Sequence, residues 1–179
     1  MVNTVGSLQS KYWNKKMLFL KKEMRLTPKQ RSFIIGSMLG DATMRVGIKA
    51  KNANFKIDHC LEQTEIYDQF YTTDSYRCGR KIVPNLLVDS MNAFVIAVWV
   101  MDDGSYNHGK IDISTYSFTL KEIEKLCSII KKKFNITMLY HKDRDKGYRI
   151  YCNKKETQKL VDLICPYIIK TMRYKIGLS

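Results

Sequence analysis

The sequence predicts an α+β fold, and three features predict it. Two apolar runs of helical length each end on aspartate, Phe33 to Asp41 and Phe94 to Asp103. Downstream of the second run, segments of strand period alternate with segments of helix period. Thr27 and Thr119 each open a run with Gln30 or Glu122 three positions on, the pattern of a capping box. With 179 residues, 45% of them hydrophobic, the chain can bury a core as one domain or as two small fused halves.

The elements follow in order. The segment up to about Arg25 is basic (Lys11, Lys15, Lys16, Lys21, Lys22) and reads either as an arm lying on phosphate or as a solvated helix. Thr27-Pro28-Lys29-Gln30 supplies an N-cap, a proline at the first helical position and the capping glutamine, which predicts a helix from about Pro28 to Gly40. Gly47 and the stretch Ile48 to Cys60 read as a strand pair, with Lys49, Lys51 and Lys56 spread along an outward basic face, followed by a helix from about Gln63 to Tyr71.

After the second apolar helix, Lys110 to Tyr116 alternates polar and apolar residues at strand period. Thr119 to Glu122 opens a helix whose buried stripe is Ile123, Leu126, Ile130 and Phe134. Ile136 to Lys142 and Tyr148 to Cys152 form a hairpin around Asp143 to Gly147. A last helix covers about Lys155 to Cys165, is stopped at Pro166, and leaves a helical tail with Lys170, Arg173 and Lys175. The second half therefore reads helix, two strands, helix, two strands, helix.

Chemistry enters with the aspartates. A carboxylate at a helix C-terminus meets the negative end of the macrodipole, which disfavours it by a few tenths to about 1 kcal/mol. Gly36, Gly40 and Ala97 are small enough for the two apolar helices to pack closely, bringing Asp41 and Asp103 together at one end. Two carboxylates so placed share a proton or a hard divalent cation, and metal-assisted phosphodiester hydrolysis suits such a site. The ordinary alternative for each aspartate is a solvated turn former.

Charge points to a polyanionic partner. Lys and Arg number 31 against 17 Asp and Glu, a net charge of +14, the electrostatic footprint of a nucleic-acid binder; the lysine-rich surface encoded by an AT-rich genome is the bland alternative. The five cysteines and three histidines are scattered, indicating neither a zinc site nor a disulfide framework but reduced thiols. No apolar run reaches 18 residues and no secretory signal opens the chain, so a soluble intracellular protein, in a bacterial cytoplasm or organelle matrix, is expected with no membrane partner.

Gly36-Ser37-Met38-Leu39-Gly40-Asp41-Ala42 and Ala97-Val98-Trp99-Val100-Met101-Asp102-Asp103-Gly104 resemble the two motifs of the LAGLIDADG homing endonucleases, in the single-chain, two-motif branch. The resemblance implies two pseudo-symmetric αββαββα-like halves packed through the motif helices, each with a concave antiparallel sheet. It implies Asp41 and Asp103 as catalytic ligands of Mg2+ or another hard divalent cation. By their local contexts, Gly79 to Pro84 and Met172 to Lys175, it carries over Lys81 and Lys175 as basic catalytic residues; their alternative roles are surface charge and helix-dipole complementation. The concave basic sheets would lie in the major groove of double-stranded DNA, with Lys110, Lys142, Arg144, Lys146, Tyr148 and Arg149 joining Lys49, Lys51 and Lys56 as contacts, most of them to phosphate.

The first half departs from the family pattern. Asp103 and Lys175 are 72 positions apart, Asp41 and Lys81 only 40, about one hairpin and one helix too few. The expected organisation is a basic extension (1–26), a shortened first half (27–80) and a full second half (81–179). The expected function is sequence-specific, metal-dependent double-strand cleavage by a monomer of the intron- or intein-associated type. The alternatives are a LAGLIDADG-derived protein without cleavage that holds structured or ribosomal RNA, as an intron maturase or ribosome-associated component, and a transcription regulator on duplex DNA.

Overall fold

Thr27 does what its position predicts: its hydroxyl accepts from Gln30 N at 3.2 Å while Thr27 N donates to Gln30 Oε1 at 2.9 Å. This capping box opens helix α1 (Pro28–Leu39) in the computed structural model, which describes residues 25–40, 66, 69–72 and 80–178. The N-terminal arm, Asp41, the strand pair with Lys49, Lys51 and Lys56, Cys60, Cys78 and most of the helix expected over 63–71 lie outside the described residues.

A short helix α2 (Leu87–Ser90) leads to α3 (Ala93–Asp103), capped by Asn92, whose side chain accepts from Val95 N at 3.0 Å. The order then runs β1 (Gly104–Asn107), β2 (Lys110–Ser114), α4 (Leu120–Phe134), β3 (Leu139–Lys142), β4 (Tyr148–Tyr151) and α5 (Lys154–Ile164), with two 3₁₀ segments at Cys165–Tyr167 and Lys170–Ile176. This is the helix, two strands, helix, two strands, helix succession expected of the second half. Thr119 and Glu122 cap α4 reciprocally, and Ile123, Leu126 and Ile130 are buried on it with Ile129.

The four strands form one open antiparallel sheet in the order β1-β2-β4-β3. The two hairpins join through β2 and β4, where Ile113 faces Ile150 and Asp112 faces Tyr151. Strand alternation buries Ile111, Ile113 and Ile150 completely on the helix side and leaves Asp112, Ser114, Arg149 and Tyr151 on the other. The β1–β2 turn has positive φ at His108 and Gly109 (49° and 81°), the mirror-image turn whose twist suits a two-residue hairpin.

One boundary differs from the sequence reading. The second hairpin begins at Leu139 rather than Ile136, because Asn135 ends α4 in the left-handed conformation (φ 54°) and Ile136 and Met138 then cross the core as buried chain outside the strand. The expected helical tail is a 3₁₀ segment.

Helices α1 and α3 run side by side in the same direction. Asn92 Nδ2 donates to Ser32 Oγ at 2.9 Å at their N-terminal ends. A Cβ on Gly36 would stand 2.7 Å from both Val95 O and Val98 Cβ, and one on Gly40 would stand 2.7 Å from Asp102 Cβ. Glycine is thus required for the backbones to approach this closely, and Met38, Leu39, Ile96, Val100 and Trp99 are buried around the contact.

Two substitutions test that contact. Gly36→Val should lower stability by about 1–3 kcal/mol, the cost of overpacking a filled interior, read as a lower urea midpoint. Gly36→Ala should also destabilise, although alanine favours a helix by about 1 kcal/mol over glycine, because the obstructing atom is a backbone oxygen.

Candidate catalytic centre and nucleic-acid interface

The parallel course of α1 and α3 brings their C-terminal ends together. Gly40 directly precedes Asp41 in sequence and Asp102 directly precedes Asp103, and Gly40 and Asp102 are in contact. Two helix C-termini, one of them carrying Asp102 and Asp103, therefore meet at one end of the helix pair, where negative charge accumulates.

Each C-terminus receives one lysine. Lys81 Nζ donates to Gly40 O. Lys175 Nζ donates to Met101 O at 2.5 Å and to Asp102 O at 2.9 Å. The two ammonium groups thus occupy matching places, each on the carbonyl of the residue before a motif aspartate. From these positions both ammonium groups complement the negative end of a helix dipole.

Lys81 is placed by an antiparallel pairing of residues 70–72 with 80–82, for which the sequence reading had no strand. Ile82 N donates to Phe70 O at 2.8 Å and Thr72 N to Arg80 O at 3.0 Å, with Tyr71 bridged to Lys81 between them. On the other side, Arg80 meets Glu122 through two bonds of 2.7 and 3.2 Å. Burial alone would raise the Glu122 carboxyl, but the bonds from Arg80 and Thr119 outweigh it and hold it below its ordinary value of 4.5. Lys175 is placed by the 3₁₀ tail, whose turn at Gly177 (φ 76°) lies against the Tyr106 ring in the space a Cβ would need.

The donors at the centre are those of a hard cation. Asp103 and Asp102 offer carboxylate oxygen, and the expected second ligand, Asp41, lies outside the described residues. Among the described residues no three His, Cys, Asp or Glu side chains gather as a metal-binding group. Of the described thiols, Cys152 is buried, and burial pushes Cys127 and Cys152 up to about 11 and about 12.

The open face of the sheet forms a trough of about 550 Å³. Lys110 and Arg149, both expected contacts, line it, together with Tyr151 and with Ser105, Asn107 and His141, which the sequence reading did not single out. Arg149 is not a loose cation: it is ion-paired with Asp112, donates to Tyr116 Oη at 2.7 Å, and Tyr116 donates on to Asp143 at 2.7 Å. Burial would lower the Arg149 pKa, yet these partners raise it above its ordinary value, while the Tyr116 hydroxyl holds Asp143 below its own. Lys142, Arg144 and Lys146 are exposed at the β3–β4 turn.

Tyr148 is placed elsewhere. It packs against the core and meets Tyr140 edge-on at 6.3 Å between centroids, on the same side as Ile150. Tyr151, three positions on, is the β4 tyrosine that reaches the open face. The alternation of Lys110, Asp112 and Ser114 with Ile111 and Ile113 was a sufficient signal for Asp112; nothing in the sequence pairs it with Arg149.

Comparison with known proteins agrees with this architecture. Residues 61–160 match the sequence model of the LAGLIDADG DNA endonuclease family. The chain belongs to that family. An intron-encoded endonuclease, ai4, of Dictyostelium discoideum is 34% identical over 120 residues, covering 64% of this chain and 70% of that protein. The cytochrome b mRNA maturase bI2 of Debaryomyces hansenii is 33% identical over 117 residues, covering 64% of this chain but 45% of the maturase, so the chain spans less than half of that relative's length. Among solved structures, the homing endonuclease I-WcaI bound to its DNA recognition sequence superposes with a TM-score of 0.66 at 20% identity, over 89% of this chain and 91% of that one. The LAGLIDADG fold is thereby shown, and the two chains are close in length. Among the described residues no helix is long and apolar enough to cross a membrane.

The electrostatics of Glu122 give a pH prediction. Its folded pKa is lowered, so its contribution to stability is present above the unfolded value of about 4.5 and is lost as pH falls through the folded value. Thermal unfolding followed from about pH 6 downward should show wild type losing its advantage over Glu122→Gln across that window.

Proposed function

We propose that this chain is a metal-dependent DNA endonuclease that cuts both strands of a specific duplex. The observation that carries the reading is the paired helix end: two parallel motif helices, each followed by aspartate, each with a lysine on the carbonyl before it. The similarity to proteins named as intron-encoded endonucleases, and to a homing endonuclease solved on its DNA target, supports the same reading.

Asp41 and Asp103 are the residues that would hold a divalent cation, with Mg2+ the expected ion. Such an ion supplies activation of the attacking water and neutralisation of charge at the scissile phosphate. Lys81 and Lys175, fixed at the helix ends, stabilise charge that develops on phosphate oxygens and orient water on either strand. The open face of the sheet enters the major groove, where Tyr151, Asn107 and Ser105 meet base edges and Lys110, Lys142, Arg144 and Lys146 meet phosphate. Arg149, held in place by Asp112 and Tyr116, presents a fixed guanidinium edge suited to guanine. Lys49, Lys51 and Lys56 are assigned to the corresponding surface of the first half, and a single chain, organised as 1–26, 27–80 and 81–179, carries both halves.

One observation favours a second reading. The similarity to an mRNA maturase supports RNA as a ligand of the same fold, with cleavage lost and the basic surface retained.

Cleavage of a randomised double-stranded DNA library separates the two. Wild type should give Mg2+-dependent double-strand cuts at one enriched sequence, and Asp103→Asn should bind that sequence as well or better while cutting it undetectably, since a carboxylate repelling phosphate has been removed. Affinity should fall about 10³- to 10⁵-fold between about 50 and 200 mM salt if six or more phosphates are neutralised. Salt-sensitive binding of structured RNA with no cut in any DNA would favour the maturase reading.

A further inference from the structure

We propose that Glu122 is a positioning residue for Lys81, acting through Arg80 from the opposite half of the molecule, and that it thereby governs cleavage at one of the two strands. This inference rests on the nuclease reading for its consequence, though not for its geometry.

Helix α4 belongs to the second half, yet one of its faces is occupied by the segment that leads out of the first. Glu122 bonds Arg80 at 2.7 and 3.2 Å and accepts from Val83 N at 3.4 Å, so its carboxylate holds the residues on either side of Lys81 and Ile82. Lys125 continues the contact by donating to Val83 O at 2.9 Å and Asn85 Oδ1 at 2.8 Å. Lys133 completes it on Asp89 O and Met91 O at 2.7 and 3.1 Å. Positions 122, 125 and 133 fall on one side of a helix of 3.6 residues per turn, and they grip the linker from Arg80 to Met91.

The bond from Glu122 to Arg80 adds only a modest share of stability, because Arg80 has 47% of its side chain exposed. The α4 cap shares the same oxygen, Oε2 accepting from Thr119 N and from Arg80, each at 2.7 Å. What the Arg80 contact adds is direction. With the 70–72 chain paired along one edge of residues 80–82 and Glu122 on the other, the Lys81 backbone is fixed on both sides and its ammonium reaches Gly40 O. Lys175 has no share in this clamp, since it reaches Met101 and Asp102 from the C-terminal tail.

The asymmetry supplies the test. Glu122→Gln retains a cap acceptor for Thr119 but loses the charged pair with Arg80. With supercoiled plasmid carrying one recognition site, wild type should yield linear product, whereas Glu122→Gln should accumulate nicked circles, always nicked in the same strand. The slower strand should lose on the order of ten- to a hundredfold in rate, the scale that misplacement by about 1 Å produces; DNA affinity should be unchanged, and Lys81→Ala should spare the same strand. Equal slowing of both strands, or no slowing, would overturn the proposal.

A second measurement is independent of cutting. Lysines dimethylated with ¹³C-formaldehyde each give a methyl resonance, assigned for these two by Lys81→Arg and Lys175→Arg. Glu122→Gln should move the Lys81 resonance and leave that of Lys175, whereas an unmoved Lys81 resonance overturns the clamp. A moved resonance in a protein that cuts no DNA would overturn the nuclease reading alone.

Discussion

Everything at the centre depends on two helix C-termini being held side by side. Parallel helices add their dipoles at each end, and here the negative ends also carry aspartate. Apolar packing forces the arrangement: Gly36 and Gly40 allow contact with Val95, Val98 and Asp102, and buried Trp99, Ile96 and Leu39 fill the space around it. The repulsion created by packing is then offset by cations. Each lysine at a helix end contributes typically 0.3–1 kcal/mol, rising to about 2 where partly buried.

The two lysines reach that end by unrelated routes. Lys175 arrives on a 3₁₀ tail locked by the close approach of Gly177 to Tyr106, whereas Lys81 arrives on a chain paired with residues 70–72 and held by Glu122 of α4 through Arg80. On the sheet face, Asp112, Arg149, Tyr116 and Asp143 form one continuous chain of partners, so a protein of net charge +14 holds a rigid polar lattice at its surface.

Local signals made much of this legible in the sequence. Thr27-Pro28-Lys29-Gln30 and Thr119 to Glu122 fixed two helix starts because capping involves only neighbours three positions apart, and both boxes form as expected. The period-2 pattern of Lys110 to Ser114 placed β2 with its burial. β1 was harder, since Gly104 turns the chain from helix to strand with no intervening loop and Gly-Ser-Tyr-Asn has little apolar alternation. Tyr148 and Tyr151 were distinguishable only as opposite faces until pairing with β2 showed which face was the core. The Glu122–Arg80 bond, 42 positions apart, leaves no local trace: Glu122 was read as a cap, which it is, and the guanidinium that both its oxygens also accept from is invisible without the fold.

Gly40 and Asp102 occupy equivalent places on the two motif helices, yet one has no side chain and the other has a charged one. They fit because they differ. A second copy of α3 set in the place of α1 would bring Asp102 against Asp102, carboxylate to carboxylate in a gap that admits one side chain, while two copies of α1 would leave the gap unfilled. At this contact the two motif helices are therefore complementary rather than interchangeable, the glycine of one making room for the aspartate of the other.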